Sequence, residues 1–312
     1  MKENILITGG SGFISKWLTE ALDKLSNVNI YLLCNSNKNS TIYSSNVEKV
    51  YCDITDIDNL IKVFNDVKID FIYHFAAKSK IQKFSIENTS TFKVNIQGTW
   101  NLLELARKKS VKGFVMASSM SVYGEKNQIP YDESSLLEGS SSYSTSKICA
   151  EEIAEFYSKT YNIPIVTLRL GMIFGGGDNE LSRLIPSIVY SLLNKQNIHL
   201  KSTENTTIDP LYIKDLVSAL LQLLYYFKTN NIGYEIMNIS SNEAITISEI
   251  ANTLVSISKN EKTIISYGEL NSKKKYMNND KAISELNWKI KYSLKQSLKE
   301  TYLYYQMNKY EY

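Results

Sequence analysis

The sequence predicts a doubly wound α/β fold, in which a parallel sheet is covered by helices on both faces. Three observations predict it. Through the first half, short and nearly continuous apolar runs alternate with stretches of helical periodicity, the pattern of strands buried on both sides. A glycine-rich turn links the first apolar run to the first helical stretch. The composition is globular, 43% hydrophobic and 21% charged over 312 residues, which leaves room for one large domain or two of about 150 residues.

Taken in order, residues 4–8, 29–33, 47–51, 71–76 and 113–117 read as strands. Helical stretches lie between them at 13–25, 57–66 and 89–109. In the last of these, Phe92, Ile96, Trp100 and Leu103 recur at helical spacing. A long helix at 143–161 and a sixth strand at 164–170 continue the alternation. Beyond Gly175 the regularity gives way to a mostly helical region with one short strand at 235–239. The expected organisation is a sheet domain over residues 1–170 and a smaller cap over 171–312, with the two parts interleaved.

Composition disfavours several function classes. The formal charge is only +3, from 35 basic against 32 acidic residues with no basic arm, so nucleic acid is not the expected partner. Cys34, Cys52 and Cys149 lack ligand spacing, and with only His74 and His199 beside them no metal site is expected. Four prolines and thirteen glycines are few for a turn-rich all-β chain. The first apolar run is too short for a secretory signal core. The longest, residues 216–227, carries Ser218 and Gln222; it falls short of the ~20 apolar residues of a bilayer span and reads as a buried helix. A cytoplasmic chain without a membrane partner is the expectation.

The turn after the first strand reads Thr8-Gly9-Gly10-Ser11-Gly12-Phe13-Ile14. Gly9 permits the tight turn, and Gly12 lets the backbone approach a pyrophosphate. The helix N-terminus beyond, at Phe13 and Ile14, offers unpaired N–H groups and the positive end of its dipole. Its place at a strand-to-helix junction makes this a dinucleotide signal and the fold Rossmann-like. Ser15 stands where a third glycine allows close helix–strand packing, which predicts weaker cofactor retention. At the end of the second strand, Cys34-Asn35-Ser36-Asn37-Lys38 offers no carboxylate for the ribose hydroxyls of NAD. Asn35 and Lys38 suit a 2′-phosphate, so NADP is favoured over NAD.

Tyr143 and Lys147 open the long helix one turn apart on one face. An ammonium there favours the phenolate and lowers the tyrosine pKa toward working pH, and the same lysine can bond a nicotinamide ribose. Tyr305 and Lys309 repeat the spacing, but a frayed surface helix is the simpler reading there. Context separates the two pairs. Ser118-Ser119-Met120-Ser121 follows the fifth strand, and ligands of doubly wound sheets bind beyond the carboxyl ends of strands. Ser119 can therefore meet Tyr143 over a bound substrate.

On the glycine turn and the Ser119, Tyr143 and Lys147 set, the chain resembles an extended short-chain dehydrogenase/reductase of the NAD-dependent epimerase/dehydratase family, which acts mainly on nucleotide sugars. The resemblance is collinear over nearly the whole chain. It implies Asp53 and Ile54 as adenine contacts, and Phe75, Ala76 and Ala77 of the fourth-strand motif as cofactor lining. It also implies Asn95 as the helix asparagine that braces the active-site backbone, while His74 reads as a packed, hydrogen-bonded histidine. Residues 278–288 resemble the family's late substrate-domain pattern.

Departures from the family pattern narrow the activity. Met120 and Ser121 stand where the family's dehydratases carry an Asp-Glu pair, which disfavours 4,6-dehydration. Ile208 replaces an arginine for the diphosphate, and Met172 a substrate-binding asparagine. Either diphosphate recognition falls to Arg183 or Lys201, although both read first as solvated surface charges, or the substrate is atypical. Ser119, Ser121 and Tyr143 are the expected substrate contacts.

The expected function is NAD(P)-dependent hydride transfer at C4 of a nucleotide-activated hexose, as a 4-ketoreductase. A 4-epimerase of the same family and a cofactor-binding protein without redox turnover are the alternatives. An epimerase must retain its dinucleotide, whereas a reductase exchanges it every cycle, and the sequences at Ser15 and Cys34 argue for exchange. By resemblance a homodimer is expected through helices 89–109 and 143–161. Trp100, Leu102 and Leu105 place apolar groups on more than one face of the first.

Overall fold

In a computed structural model, which describes residues 2–35, 43–79, 88–125, 128–270 and 274–308, the alternation becomes six strands: β1 (Glu3–Thr8), β2 (Val28–Cys34), β3 (Val47–Tyr51), β4 (Phe71–His74), β5 (Gly113–Ser119) and β6 (Ile165–Leu170). The strands β7 (Met172–Phe174), β8 (Ile198–Ser202), β9 (Thr207–Ile208), β10 (Pro210–Tyr212), β11 (Tyr234–Ile239), β12 (Ile245–Thr246) and β13 (Ile265–Leu270) follow. The helices are α1 (Phe13–Leu22), α2 (Ile57–Val63), α3 (Asn88–Phe92), α4 (Gly98–Lys109), α5 (Ser142–Tyr161), α6 (Leu184–Leu193), α7 (Ile213–Thr229), α8 (Ile247–Ser258), α9 (Asp280–Leu286) and α10 (Leu294–Met307).

Seven strands pair in parallel in the order β11-β6-β5-β4-β1-β2-β3. The order reverses between β1 and β4, and at such a switch point the two following loops diverge and leave a crevice. Side chains alternate faces with period two, so Ile5 and Ile7 join one core while Leu6 joins the other. On the first face the sheet packs against Leu18 and Leu22 of α1 and Leu216, Leu220 and Leu223 of α7. On the second it packs against Leu60 of α2, Leu102 and Leu105 of α4, and Ala150 and Ala154 of α5. Each fully buried leucine or isoleucine contributes about 1.5–3 kcal/mol.

The structure corrects several sequence boundaries. α1 ends at Leu22 rather than residue 25, because the chain turns there and the Leu25 N–H bonds the Leu22 carbonyl. α2 closes at Val63, where the Phe64 N–H is shared between the carbonyls of Leu60 and Lys62. β4 stops at His74, since the Ala76 N–H is drawn to Thr8 Oγ1 at 3.2 Å. The helix expected at 89–109 is interrupted by a π-helical segment, Lys93–Gln97. β5 runs on to Ser119, past the expected end at residue 117.

Beyond residue 170 the chain is helical as expected, but the described residues also form three two-stranded sheets that residue patterns did not reveal. In two of these sheets the strands have only two or three residues, too short to show a period, while β8 and β13 have five and six residues and pair across 67 positions of chain. The apolar run 216–227 lies within α7, and among the described residues no helix is long and apolar enough to cross a membrane. Tyr305 is not on a frayed surface: it is buried, and its hydroxyl donates to the Asp178 carbonyl at 2.7 Å. Leu102 and Leu105 are wholly buried against the sheet, so of the three residues expected on extra faces only Trp100 is exposed.

Candidate active site

The glycine turn sits at the switch point. Gly9 has φ +71°, and a Cβ there would come within 2.9 Å of the Ala76 nitrogen, so both conformation and space demand glycine. A Cβ on Gly12 would meet the Gly9 carbonyl at 2.9 Å. Gly12 caps α1 without any side-chain hydrogen bond, which leaves the helix N-terminus available to an anion. Ser15 is accommodated without strain: its buried hydroxyl donates to the Thr8 carbonyl at 3.2 Å. The crowding expected at this position is replaced by a bond that ties α1 to β1.

His74 is packed and hydrogen-bonded, with Nδ1 2.8 Å from Thr8 Oγ1 and Nε2 2.9 Å from Thr99 Oγ1. Burial, with the nearby Lys147 charge adding to it, pushes its pKa down to about 3. The ring is neutral and links β1, β4 and α4.

Asn95 falls inside the π-helical segment, where the widened turn redirects a side chain. Fully buried, it accepts from the Lys78 N–H at 2.8 Å and donates to the Lys78 carbonyl at 3.0 Å and Ser146 Oγ at 2.9 Å. It thereby ties the loop after β4 to α5.

Ser119 ends β5, and its Oγ accepts from the Ser121 N–H at 3.2 Å and the Ser121 hydroxyl at 3.0 Å. A reciprocal capping box between Ser141 and Ser144 starts α5 and puts Tyr143 in its first turn. Lys147, one turn on, is buried and donates from Nζ to the Ala117 carbonyl at 2.7 Å. Its Nζ lies 6.0 Å from the Tyr143 ring centre. Burial lowers the Lys147 pKa to about 8 against the opposing pull of Glu151. Burial raises the Tyr143 phenol, opposed by its hydrogen bond with Ser119 and by the Arg183 charge. The expected net lowering of the phenol is therefore not met, because desolvation outweighs the groups that favour the phenolate.

A cleft of about 350 Å³ collects these groups. Its wall includes Gly9, Gly12, Phe13, Ile14, Phe75 and Ala77 on one side, and Ser119, Tyr143 and Lys147 on the other. Met172 and Arg183 also line it, and Arg183 is paired with Asp178 at 2.9 Å. Lys201 is exposed on β8 and is not part of this wall.

Other expected contacts stand back from the cleft. Ser121 serves Ser119 rather than the cavity. Ile54 is buried under α4, and Asp53 is exposed, with Oδ1 accepting from the Thr55 N–H at 2.8 Å. Ala76 and Asn95 support the wall from behind, and Asn35 is exposed just after β2. Lys38 lies outside the described residues. Sequence reasoning missed Ser79, Leu170 and Ile173, which also line the cleft. The place of Leu170 at the carboxyl end of β6 was the available signal.

Residues 5–240 match the profile of the NAD dependent epimerase/dehydratase family. A Dictyostelium discoideum dTDP-D-glucose 4,6-dehydratase is 29% identical over 82% of this chain, which spans 62% of that protein, under two thirds of its length. A Methanocaldococcus jannaschii putative UDP-glucose 4-epimerase is 32% identical over 79% of each chain. The solved UDP-glucuronic acid 4-epimerase from Bacillus cereus, in complex with UDP-glucuronic acid and NAD, superposes with a TM-score of 0.87. It is 25% identical over 98% of this chain and 99% of its own. Glycine turn, switch-point cleft and collinear matches together place this enzyme in the NAD-dependent epimerase/dehydratase family, an extended short-chain dehydrogenase/reductase.

Proposed function

We propose that the enzyme transfers hydride between a nicotinamide dinucleotide and C4 of a nucleotide-activated hexose, with net 4-ketoreduction as its direction of use. One observation carries the reading: a single cleft joins the uncapped start of α1 to Ser119, Tyr143 and Lys147. The glycine cradle at Gly9 and Gly12, which a Cβ would fill, fits a pyrophosphate. The dinucleotide, when bound, supplies or accepts the hydride.

The chain's own residues do the rest. Ser119 orients the sugar oxygen, and the Tyr143 phenol gives or takes its proton, a role worth ~10²–10⁴ in rate. Lys147 supplies positive charge beside the phenol and a donor for the cofactor ribose. Arg183, on the cleft wall, is the cation for the substrate diphosphate in place of the absent arginine at Ile208. Met120 and Ser121 provide no carboxyl pair for eliminating water, so dehydration is outside this reading.

Epimerisation is the second reading, favoured by the fit of Ser15, which removes one argument for loose cofactor retention. Of the two dinucleotides, NADP(H) is favoured by the carboxylate-free end of β2, with Asn35 and Lys38. The protein is expected to act as a homodimer through α4 and α5, where Trp100, Phe156 and Tyr161 are exposed.

The purified protein, incubated with 4-keto and 4-hydroxy nucleotide sugars, tests the assignment. Loss of 340 nm absorbance with a 4-keto sugar supports reduction. Interconversion of two hydroxy epimers without net use of added cofactor establishes the epimerase instead. No turnover with any of them removes the reading. Titration with NADH and NADPH tests the cofactor, and tighter NADH binding overturns the preference for NADP(H).

A further inference from the structure

Behind the cleft lies a buried ion pair that the reaction chemistry does not use. Glu151 and Arg169 are each 3% exposed, and their carboxylate and guanidinium meet at 2.7 Å. The pair is fully dressed. Arg169 also donates to the Tyr123 hydroxyl at 3.0 Å and the Glu133 carbonyl at 3.0 Å. The Tyr123 hydroxyl in turn donates to Asn238 Oδ1 at 2.6 Å. A buried pair of this kind adds little net stability compared with apolar packing, because both charges are stripped of water. Its place beside a reactive site therefore asks for another reason.

Two successive residues of β5 are held by two residues of α5 one turn apart. Lys147 Nζ holds the Ala117 carbonyl, and the Glu151 carboxylate takes the hydroxyl of Ser118. The next residue along the strand is Ser119. We propose that Glu151 is a positioning residue for the site: with Lys147 it pins the end of β5 to α5, so that Ser119 and Tyr143 are presented to the same cleft. The proposal rests on the roles given above to Ser119, Tyr143 and Lys147.

The same carboxylate also acts on Lys147. The groups facing that ammonium are Tyr143 and Glu151 on its own helix and His74 from β4, with Arg169 of β6 beyond Glu151. His74 is neutral and the phenol protonated at neutral pH, so Glu151 is the anion opposing the loss of the lysine charge. A role confined to packing would leave the Lys147 titration unmoved.

The test uses the full chain labelled with ¹³Cε-lysine, with the Lys147 resonance assigned by its loss in Lys147→Ala. In Glu151→Gln the Lys147 midpoint is expected to fall by about one pH unit or more. Glu151→Asp, which keeps the charge, should restore most of it. An unchanged midpoint in folded Glu151→Gln overturns the proposal. Should that variant fail to fold because Arg169 is left unpaired, the double variant Glu151→Gln/Arg169→Met removes both charges. Its midpoint must also fall, since Glu151 is the charge that holds the proton on Lys147, and an unchanged midpoint there overturns the proposal as well. Because the readout is a lysine titration, it stands or falls separately from turnover on any nucleotide sugar.

Discussion

The Lys147 ammonium donates to the Ala117 carbonyl at 2.7 Å, which anchors α5 to the last residues of β5. A single buried contact thus couples the helix that carries Tyr143 to the strand that carries Ser119. Because the lysine is desolvated, its pKa falls to about 8, and the contact loses its charge within an accessible pH range.

Dinucleotide affinity is therefore expected to weaken as pH rises through about 8, where Lys147 gives up its proton. Fluorescence titration of NADPH between pH 7 and 10 measures it. Lys147→Arg, which stays charged, should flatten this alkaline limb, and an equal limb in that variant would remove Lys147 from the cause.

Tyr143→Phe should nearly abolish turnover, by ~10²-fold or more, while cofactor affinity stays within a few-fold. Lys147→Ala should reduce both. Retention of most activity in Tyr143→Phe would take the phenol out of the mechanism, and wild-type behaviour of Lys147→Ala in both assays would mark it as merely structural.

Asn95→Ala should cost about 1–3 kcal/mol of stability, because the Lys78 backbone groups and Ser146 lose a buried partner together. Urea unfolding measures the cost, and an unchanged midpoint would show that the π-helical segment holds itself.

Acid should weaken the fold partly through His74. With its folded pKa lowered to about 3, the ring stays neutral while the unfolded chain takes up a proton below about 6.5. The contribution is complete above the unfolded value and is lost as pH falls from there toward 3. Thermal unfolding of His74→Gln should show a shallower loss over this window, and identical slopes would refute the assignment.

Sedimentation at micromolar concentration should give twice the mass of one chain. Trp100→Arg, at a residue 52% exposed on α4, should shift the protein to monomer. A monomeric wild type would count against the dimer.

Much of this was legible in the residues because the governing rules are local. Apolar runs with period two or none set the strands, and β1, β2, β3, β5 and β6 lie where those runs fall. The glycine turn could be read because Gly9 and Gly12 answer constraints within a few residues of themselves or at the adjoining strand. Ser119, Tyr143 and Lys147 follow from strand-end and helix-turn geometry.

Contacts between distant segments were decided elsewhere. Nothing local tells that Tyr305 would be drawn under the loop at Asp178, or that Leu102 and Leu105 face the sheet while Trp100 does not. At the π-helical turn the Asn95 side chain is held by Lys78 and Ser146, which lie 17 and 51 residues away. Residue patterns alone were enough for the order of strands and helices through β6 and for singling out candidate reactive groups, since backbone preference and hydrophobic period act over one or two turns of chain. Which of those groups share the cleft and which stand behind it came from the packing of distant segments. Those choices depend on burial, and burial is a property of the packed whole.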